Sequence, residues 1–294
     1  MEGFAMKKTL FTGVCTALVT PFLNNQVNYP MLQQLLRRQM DAGIEAVVIC
    51  GTTGEAPTLT DEEKLNLFRC SKDYVGDRMK IIAGTGSNNT EHTIELSMEA
   101  ERIGVDGLLI VSPYYNKATA EGLYIHYNTI ASCMHLPIII YNVPSRTGLD
   151  IPISVYQKLS LLPNIAGVKE ASSDITKITK IRSVCGSNLP VWTGNDEIIT
   201  PAMALGASGV ISVVSNLIPA ETQALAKAAL AGDFAAASAL QLEFQPLLES
   251  LFSEVNPIPI KEAMKIAGFD CGTCRLPLTP ISESVRYRLV QLLT

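Results

Sequence analysis

Short apolar runs alternate with amphipathic stretches along the chain. The runs are Val14–Thr20, Ala46–Cys50, Lys80–Ala83, Gly107–Ser112, Ile138–Tyr141, Ile165–Lys169, Val191–Thr193 and Gly209–Val213, eight in number. Apolar residues occupy both parities within them, the pattern of strands buried on both faces in a parallel sheet. Their ends fall roughly 20 to 35 residues apart, one strand–helix unit each. The stretches between carry helix-start signals. Thr60 with Glu63 reads as a capping box, Thr90-Glu91 opens the next helix, Ser173-Asp174 opens the one after run six, and Pro219 sits in a first turn. Gly43 and Gly206 read as helix ends. Eight such units predict an α/β fold of the (β/α)₈ TIM-barrel type. A doubly wound sheet, the alternative, would show five or six.

Beyond the eighth run, Ala220–Ala231, Asp233–Leu251, Pro257–Ala267 and Ser282–Leu293 read as helices, broken at Gly232, Gly268 and Pro280. The last three form a C-terminal helical extension. The expected division is a catalytic barrel over 1–231 and an extension over 232–294.

The 294 residues are 47% hydrophobic and 17% charged, which implies a sizeable core. A formal charge of −5 argues against a nucleic-acid surface. No apolar run approaches the roughly 18 residues of a membrane span. Lys7-Lys8 followed by Thr9–Cys15 superficially resembles an export signal, but Val14 stands where a small residue should precede the cysteine. The segment reads instead as a first buried strand, with Met1 to Ala5 an alternative start or a tag remnant. Seven scattered cysteines fit reduced thiols and a cytoplasmic location. The one CxxC, Cys271 to Cys274, lacks the partners a zinc site needs and reads as two ordinary thiols.

Barrel chemistry gathers at the C-terminal ends of the strands. Run six ends in Lys169, where little water is expected. Desolvation disfavours an ammonium and lowers its pKa from about 10.4, which would prepare the amine to form a Schiff base with a ketone. Tyr141 ends run five, 28 residues earlier, so the two side chains belong to neighbouring strands. A phenol there can shuttle protons, with Thr52, Thr53 and Tyr115 supplying hydroxyls to connect it to solvent. Gly51-Thr52-Thr53-Gly54-Glu55 puts backbone amides and hydroxyls between turn-permitting glycines, which suits a small carboxylate. Arg146, between Pro144 and Gly148 in a loop, could clamp a second carboxylate. His92, His126 and His135 lie in helical stretches and form no metal pattern. The ends of runs seven and eight carry Asp196 and Glu197, which argues against a phosphate site.

Taken in order, Gly51-Thr-Thr-Gly-Glu55, Ser112-Pro-Tyr-Tyr-Asn116, Glu121-Gly-Leu-Tyr124, Tyr141-Asn-Val-Pro-Ser-Arg-Thr-Gly148, Gly167-Val-Lys-Glu-Ala171, Gly209-Val-Ile-Ser212, Asn256-Pro-Ile-Pro-Ile-Lys261 and Arg275-Leu-Pro-Leu278 are a specific set. From Phe11 onward the chain closely resembles the 4-hydroxy-tetrahydrodipicolinate synthase (dihydrodipicolinate synthase) family of pyruvate-dependent lyases. The resemblance implies condensation of pyruvate with L-aspartate 4-semialdehyde on the diaminopimelate route to lysine. It implies a covalent Schiff base at Lys169 with no cofactor or metal, and a relay of Tyr141, Thr53 and Tyr115. Thr52 and Thr53 would hold the pyruvate carboxylate, and Arg146 would orient Tyr115 and bind the semialdehyde carboxylate. The Ile211 carbonyl would lie beside the lysine, and Gly194 would line the pocket. The implied assembly is a homotetramer, a dimer of dimers, with Tyr115 contributed across a dimer interface; some members are dimers.

Two departures from the family pattern stand out. Asn195 replaces a frequent aspartate. Where lysine-inhibited members carry Ser-Ala, histidines and a glutamate, this chain has Ala56-Pro57, Asp61, Lys64 and His92, although Asn88 and Tyr114 are retained. Weak or absent lysine inhibition is expected. The alternatives are another pyruvate-dependent aldolase, such as N-acetylneuraminate lyase, and a non-catalytic sensor on the same barrel. Arg146 discriminates against the first, and the intact lysine and relay against the second.

Overall fold

The computed structural model describes residues 9–294; Met1 to Ala5 lie outside the described residues. Eight parallel strands close into a barrel. They are β1 (Gly13–Ala17), β2 (Ala46–Ile49), β3 (Lys80–Gly84), β4 (Gly107–Val111), β5 (Ile138–Asn142), β6 (Ile165–Glu170), β7 (Val191–Thr193) and β8 (Gly209–Ser212). Every barrel strand matches an expected run, with ends that agree to within three residues. Closure between β1 and β8 pairs Gly13 with Gly209. A side chain at 209 would meet the Gly13 carbonyl oxygen at 1.9 Å, so only glycine lets the barrel close there.

The helices follow as α1 (Tyr29–Asp41), α2 (Asp61–Val75), α3 (Thr90–Ile103), α4 (Ala120–Ser132), α5 (Pro144–Thr147), α6 (Ile153–Leu159), α7 (Thr176–Cys185), α8 (Ile199–Ala204) and α9 (Pro219–Leu230). The extension is α10 (Phe234–Leu251), α11 (Ile258–Ile266) and α12 (Glu283–Leu293). The Thr60–Glu63 capping box forms, with both reciprocal bonds made at 2.9 and 3.2 Å. Three local expectations are corrected. α7 begins at Thr176, two residues beyond Asp174, because the Asp174 carboxylate turns the chain first, accepting from the Thr176 amide at 2.9 Å. His135 lies past the end of α4 rather than in it. Arg146 stands on the single turn α5, not in an irregular loop.

Two apolar layers result. Val14, Val47, Ile81, Leu108, Ile140, Val168 and Val210 face outward against the helices. Cys15, Ala46, Val48, Ile82, Leu109, Ile139, Tyr141, Trp192 and Ile211 fill the interior. Phe11 stacks on Trp192 with ring centroids 4.6 Å apart. No helix among the described residues is long and apolar enough to cross a membrane.

Candidate active site

Lys169 reaches the barrel interior because β6 carries an irregularity. Ile138 pairs with Ile165, but Ile139 pairs with Gly167, so Ala166 is an extra residue. Strict alternation would put Ile165 and Lys169 on one face. Ile165 instead packs outward with Val168, and the bulge returns Gly167 and Lys169 to the inner face. Lys169 is 5% exposed. It is the register partner of Tyr141 on one side and Trp192 on the other, and its Nζ sits 4.4 Å from the Tyr141 ring centroid. Gly194 makes room for it. A Cβ there would fall 2.7 Å from the Ala171 Cβ and 2.9 Å from the Lys169 Cε.

The outward neighbours of these two residues brace them. Asn142 donates to both Glu170 carboxylate oxygens, at 2.9 and 3.0 Å, and Glu170 also accepts from the Ser172 amide at 2.8 Å and the Tyr156 hydroxyl at 3.3 Å. Burial pushes the Glu170 carboxyl up, opposed by the nearby Lys177 ammonium and these hydrogen bonds. Asn142 reaches Asp150 at 2.9 Å, and Asp150 pairs with Lys177. Strand-to-strand order at the rim therefore rests on a buried polar network that sequence periodicity did not reveal.

The Gly51–Glu55 loop follows β2. Thr53 is buried, and Thr20 donates to the Gly54 carbonyl at 2.6 Å. Glu55 turns away from the cavity into a buried ion pair with Lys261 at 2.6 Å, their side chains 1% and 3% exposed. Its second oxygen accepts from the Arg275 amide at 2.8 Å. The Arg275 guanidinium forks onto Glu63 at 2.6 and 2.8 Å, which holds the Glu63 carboxyl below its ordinary range. The extension is thus bolted to the loop that carries the two threonines.

These residues surround one depression with two lobes. The inner lobe, about 390 Å³, is lined by Thr52, Thr53, Tyr141, Arg146, Lys169, Gly194, Asn195 and Asn256 among others. The outer lobe, about 800 Å³, shares Thr52, Tyr141 and Arg146 and adds Tyr114, Tyr115, Lys64, Asn88 and His92. Tyr115 is 92% exposed, with a left-handed φ of 69°. It reaches the outer lobe but lines no part of the inner one in this single chain. Ile211 lies in the interior layer beneath, packed in the same cluster as Tyr141 and Trp192. Asn195 does not act as a charge here. Its Nδ2 donates to the Ser172 carbonyl at 2.8 Å, tying the β7 loop to the β6 loop.

Asp196 explains the missing phosphate loop. It is fully buried, and one carboxylate oxygen accepts from the Val213 and Val214 amides at 2.8 and 2.9 Å. The protein's own anion occupies the amides after β8 that a phosphate would use. Burial pushes its carboxyl up, against Ser212 and those two amides. The other candidates stay chemically quiet. His126 donates or accepts through Nδ1 with Thr90 at 2.9 Å, and burial pushes its pKa down to about 4. Cys271 and Cys274 form no disulfide, and each thiol is pushed up to about 12, chiefly by burial. No group of three metal-ligating side chains occurs among the described residues.

Asn256 and Lys261 stand at the two ends of one motif, and neither carries a local feature that gives it a role. The usable signal was a polar pair inside the apolar Asn256-Pro-Ile-Pro-Ile-Lys261 stretch, which no helix period explains.

A closed barrel with a buried lysine, a phenol and paired threonines at its C-terminal rim defines an enzyme of the lysine-bearing (β/α)₈ lyase class. The chain belongs to the dihydrodipicolinate synthetase family, whose pattern matches residues 10–294. It is 44% identical over 275 residues to the 4-hydroxy-tetrahydrodipicolinate synthase of Clostridium perfringens, covering 94% of each chain. The crystal structure of dihydrodipicolinate synthase from Aquifex aeolicus superimposes with a TM-score of 0.95 at 42% identity, covering 96% of this chain and 97% of that one. A lysine-bound structure from Cyanidioschyzon merolae superimposes with a TM-score of 0.94 at 37% identity, covering 97% and 98%.

Proposed function

We propose that this chain is a 4-hydroxy-tetrahydrodipicolinate synthase that condenses pyruvate with L-aspartate 4-semialdehyde through a Schiff base at Lys169, in lysine biosynthesis via diaminopimelate. The observation that carries the reading is the pairing of Lys169 and Tyr141 across β5 and β6 inside a lobe that also holds Thr52, Thr53 and Arg146. The neutral Lys169 amine attacks the pyruvate ketone carbon, and Tyr141 delivers the proton that lets water leave. The resulting iminium draws electrons from the adjacent methyl, which loses a proton to the relay and becomes an enamine. The enamine carbon attacks the semialdehyde aldehyde, forming the carbon–carbon bond and restoring the iminium, while the aldehyde oxygen takes a proton from the relay. The semialdehyde's own amine then attacks the iminium carbon, which closes the ring and expels the Lys169 amine. No separate cofactor is needed, because the iminium is itself the electron sink.

Thr52 and Thr53 bind the pyruvate carboxylate, and Arg146 binds that of the semialdehyde. Ile211 presents its carbonyl from beneath, and Gly194 leaves space for the adduct. Among the described residues, the catalytic barrel runs to residue 231, and 232–294 form an extension that completes its rim. Tyr115, exposed in one chain, completes the relay from a dimer partner within a cytoplasmic homotetramer.

The test is borohydride reduction in the presence of pyruvate, followed by mass spectrometry. An adduct at Lys169 is expected, and Lys169→Ala should abolish it. Absence of the adduct in the unaltered protein would defeat the reading. Parallel assays with aspartate semialdehyde and N-acetylneuraminate separate it from a related aldolase, with turnover expected only for the former.

A further inference from the structure

Asn256 belongs to the extension, between α10 and α11, yet it touches two groups on the barrel rim. Its Nδ2 donates to the Thr53 Oγ1 at 3.0 Å. Its backbone carbonyl accepts from an Arg146 Nη at 3.1 Å. Its Oδ1 is buried with no partner. An unpaired buried acceptor is costly, and an aliphatic side chain would avoid that cost, so the amide is retained for something it does.

We infer that Asn256 is a positioning residue that sets the direction of the Thr53 proton and couples Thr53 to Arg146. This deepens the Schiff-base reading above and rests on it. A threonine hydroxyl has one proton and two lone pairs, whereas the amide Nδ2 can only donate. Thr53 must therefore accept from Asn256, and its own proton is turned to its other side. Thr53 lines the inner lobe together with Tyr141 and Lys169. A relay hydroxyl that is pre-aimed hands on its proton without first reorienting. Arg146 is exposed on α5, and a long exposed side chain samples many rotamers. The Asn256 carbonyl restricts that freedom on the side facing the cavity. One residue of the extension thus organises both the proton-transfer group and the carboxylate clamp, although neither lies near it in the sequence.

The experiment uses the full chain, with Asn256→Ala, Asn256→Asp, Thr53→Val and the combined Asn256→Ala/Thr53→Val. Steady-state kinetics are read across pH, together with borohydride trapping of pyruvate. Asn256→Ala should lower kcat 10- to 100-fold, the scale of a misplaced catalytic group. In the Thr53→Val background the same change should cost about threefold or less, because the hydroxyl it directs is gone. Asn256→Asp conserves volume and tests the donor itself, even if Asn256→Ala fails to fold. An ionised carboxylate only accepts, so it draws the Thr53 proton toward itself. Its activity relative to the unaltered enzyme should be lowest at high pH and rise as pH falls and the carboxyl becomes a donor. Fully multiplicative losses in the double variant, or an Asn256→Asp variant that tracks the unaltered enzyme at every pH, would overturn the role of Asn256 while leaving the Schiff base intact. Failure of the unaltered enzyme to trap pyruvate would overturn both.

Discussion

Replacing Lys261 by Met should destabilise the protein severely, although residue 261 lies in the extension and 206 positions from its partner. The pair it forms with Glu55 is 2.6 Å long, with side chains 3% and 1% exposed. Removing one partner of a buried ion pair leaves the other charge without compensation, at a cost of about 3–5 kcal/mol. Glu55 would keep the Arg275 amide and the weak Cys274 thiol as donors, and no cation. An unfolding entropy of about 2.1 cal/mol/K per residue gives roughly 0.6 kcal/mol/K for a chain of this length. The expected fall in melting temperature is therefore about 5–8 °C. Removing both charges, with Glu55→Gln and Lys261→Met together, should cost less than Lys261→Met alone. The glutamine oxygen still accepts from the Arg275 amide, and no buried charge remains unpaired. Thermal and urea unfolding of the two single variants and the double, at one protein concentration, form the cycle. A loss below about 1 kcal/mol for Lys261→Met, or additive losses in the double variant, would refute the reasoning. The first result would mean that water reaches Glu55 as freely as it reaches a surface carboxylate.

Gly194→Ala should slow pyruvate trapping by 10-fold or more, because the added methyl falls 2.9 Å from the Lys169 Cε and must displace the lysine; trapping at the unaltered rate would remove Gly194 from the site. The His126 pKa is pushed down to about 4 from its ordinary 6.5, so the unfolded chain binds more protons between those values, and stability that is full above pH 6.5 should drain as pH falls toward 4. The limit is about 3 kcal/mol, and His126→Gln should flatten that part of the stability–pH curve in thermal melts. L-Lysine at submillimolar concentration should leave the rate nearly unchanged, since the Lys64 ammonium lines the outer lobe and disfavours a second cation there; inhibition at submillimolar lysine would contradict this.

The fold was largely legible in the sequence because its signals are local. Each barrel strand is a short run buried on both faces, and most of the longer helices announce themselves by a cap or a period that depends on residues three or four apart, whereas the single turn α5 did not. Thr60 with Glu63 could be read as a capping box, and the structure makes both of its bonds. Lys169 and Tyr141 could be placed on neighbouring strands from their one-unit spacing alone. The bulge at Ala166 could not be read, because nothing in Ile165-Ala166-Gly167 marks which residue is skipped in pairing. Yet that bulge decides that Lys169 faces inward while Ile165 faces out.

By itself, then, the sequence determined the order of elements, the barrel class and the residue types with reactive potential. Those follow from hydrophobic period and side-chain chemistry, which neighbours in the chain suffice to express. Tertiary structure alone decided what surrounds the reactive groups. Asp196 spends its charge on the amides after β8 rather than facing substrate. Glu55 leaves the threonine loop to pair with Lys261. Asn256 arrives at Thr53 from 203 residues away. Such contacts depend on how the extension packs on the rim, a balance of burial and pairing over the whole chain that no local pattern encodes.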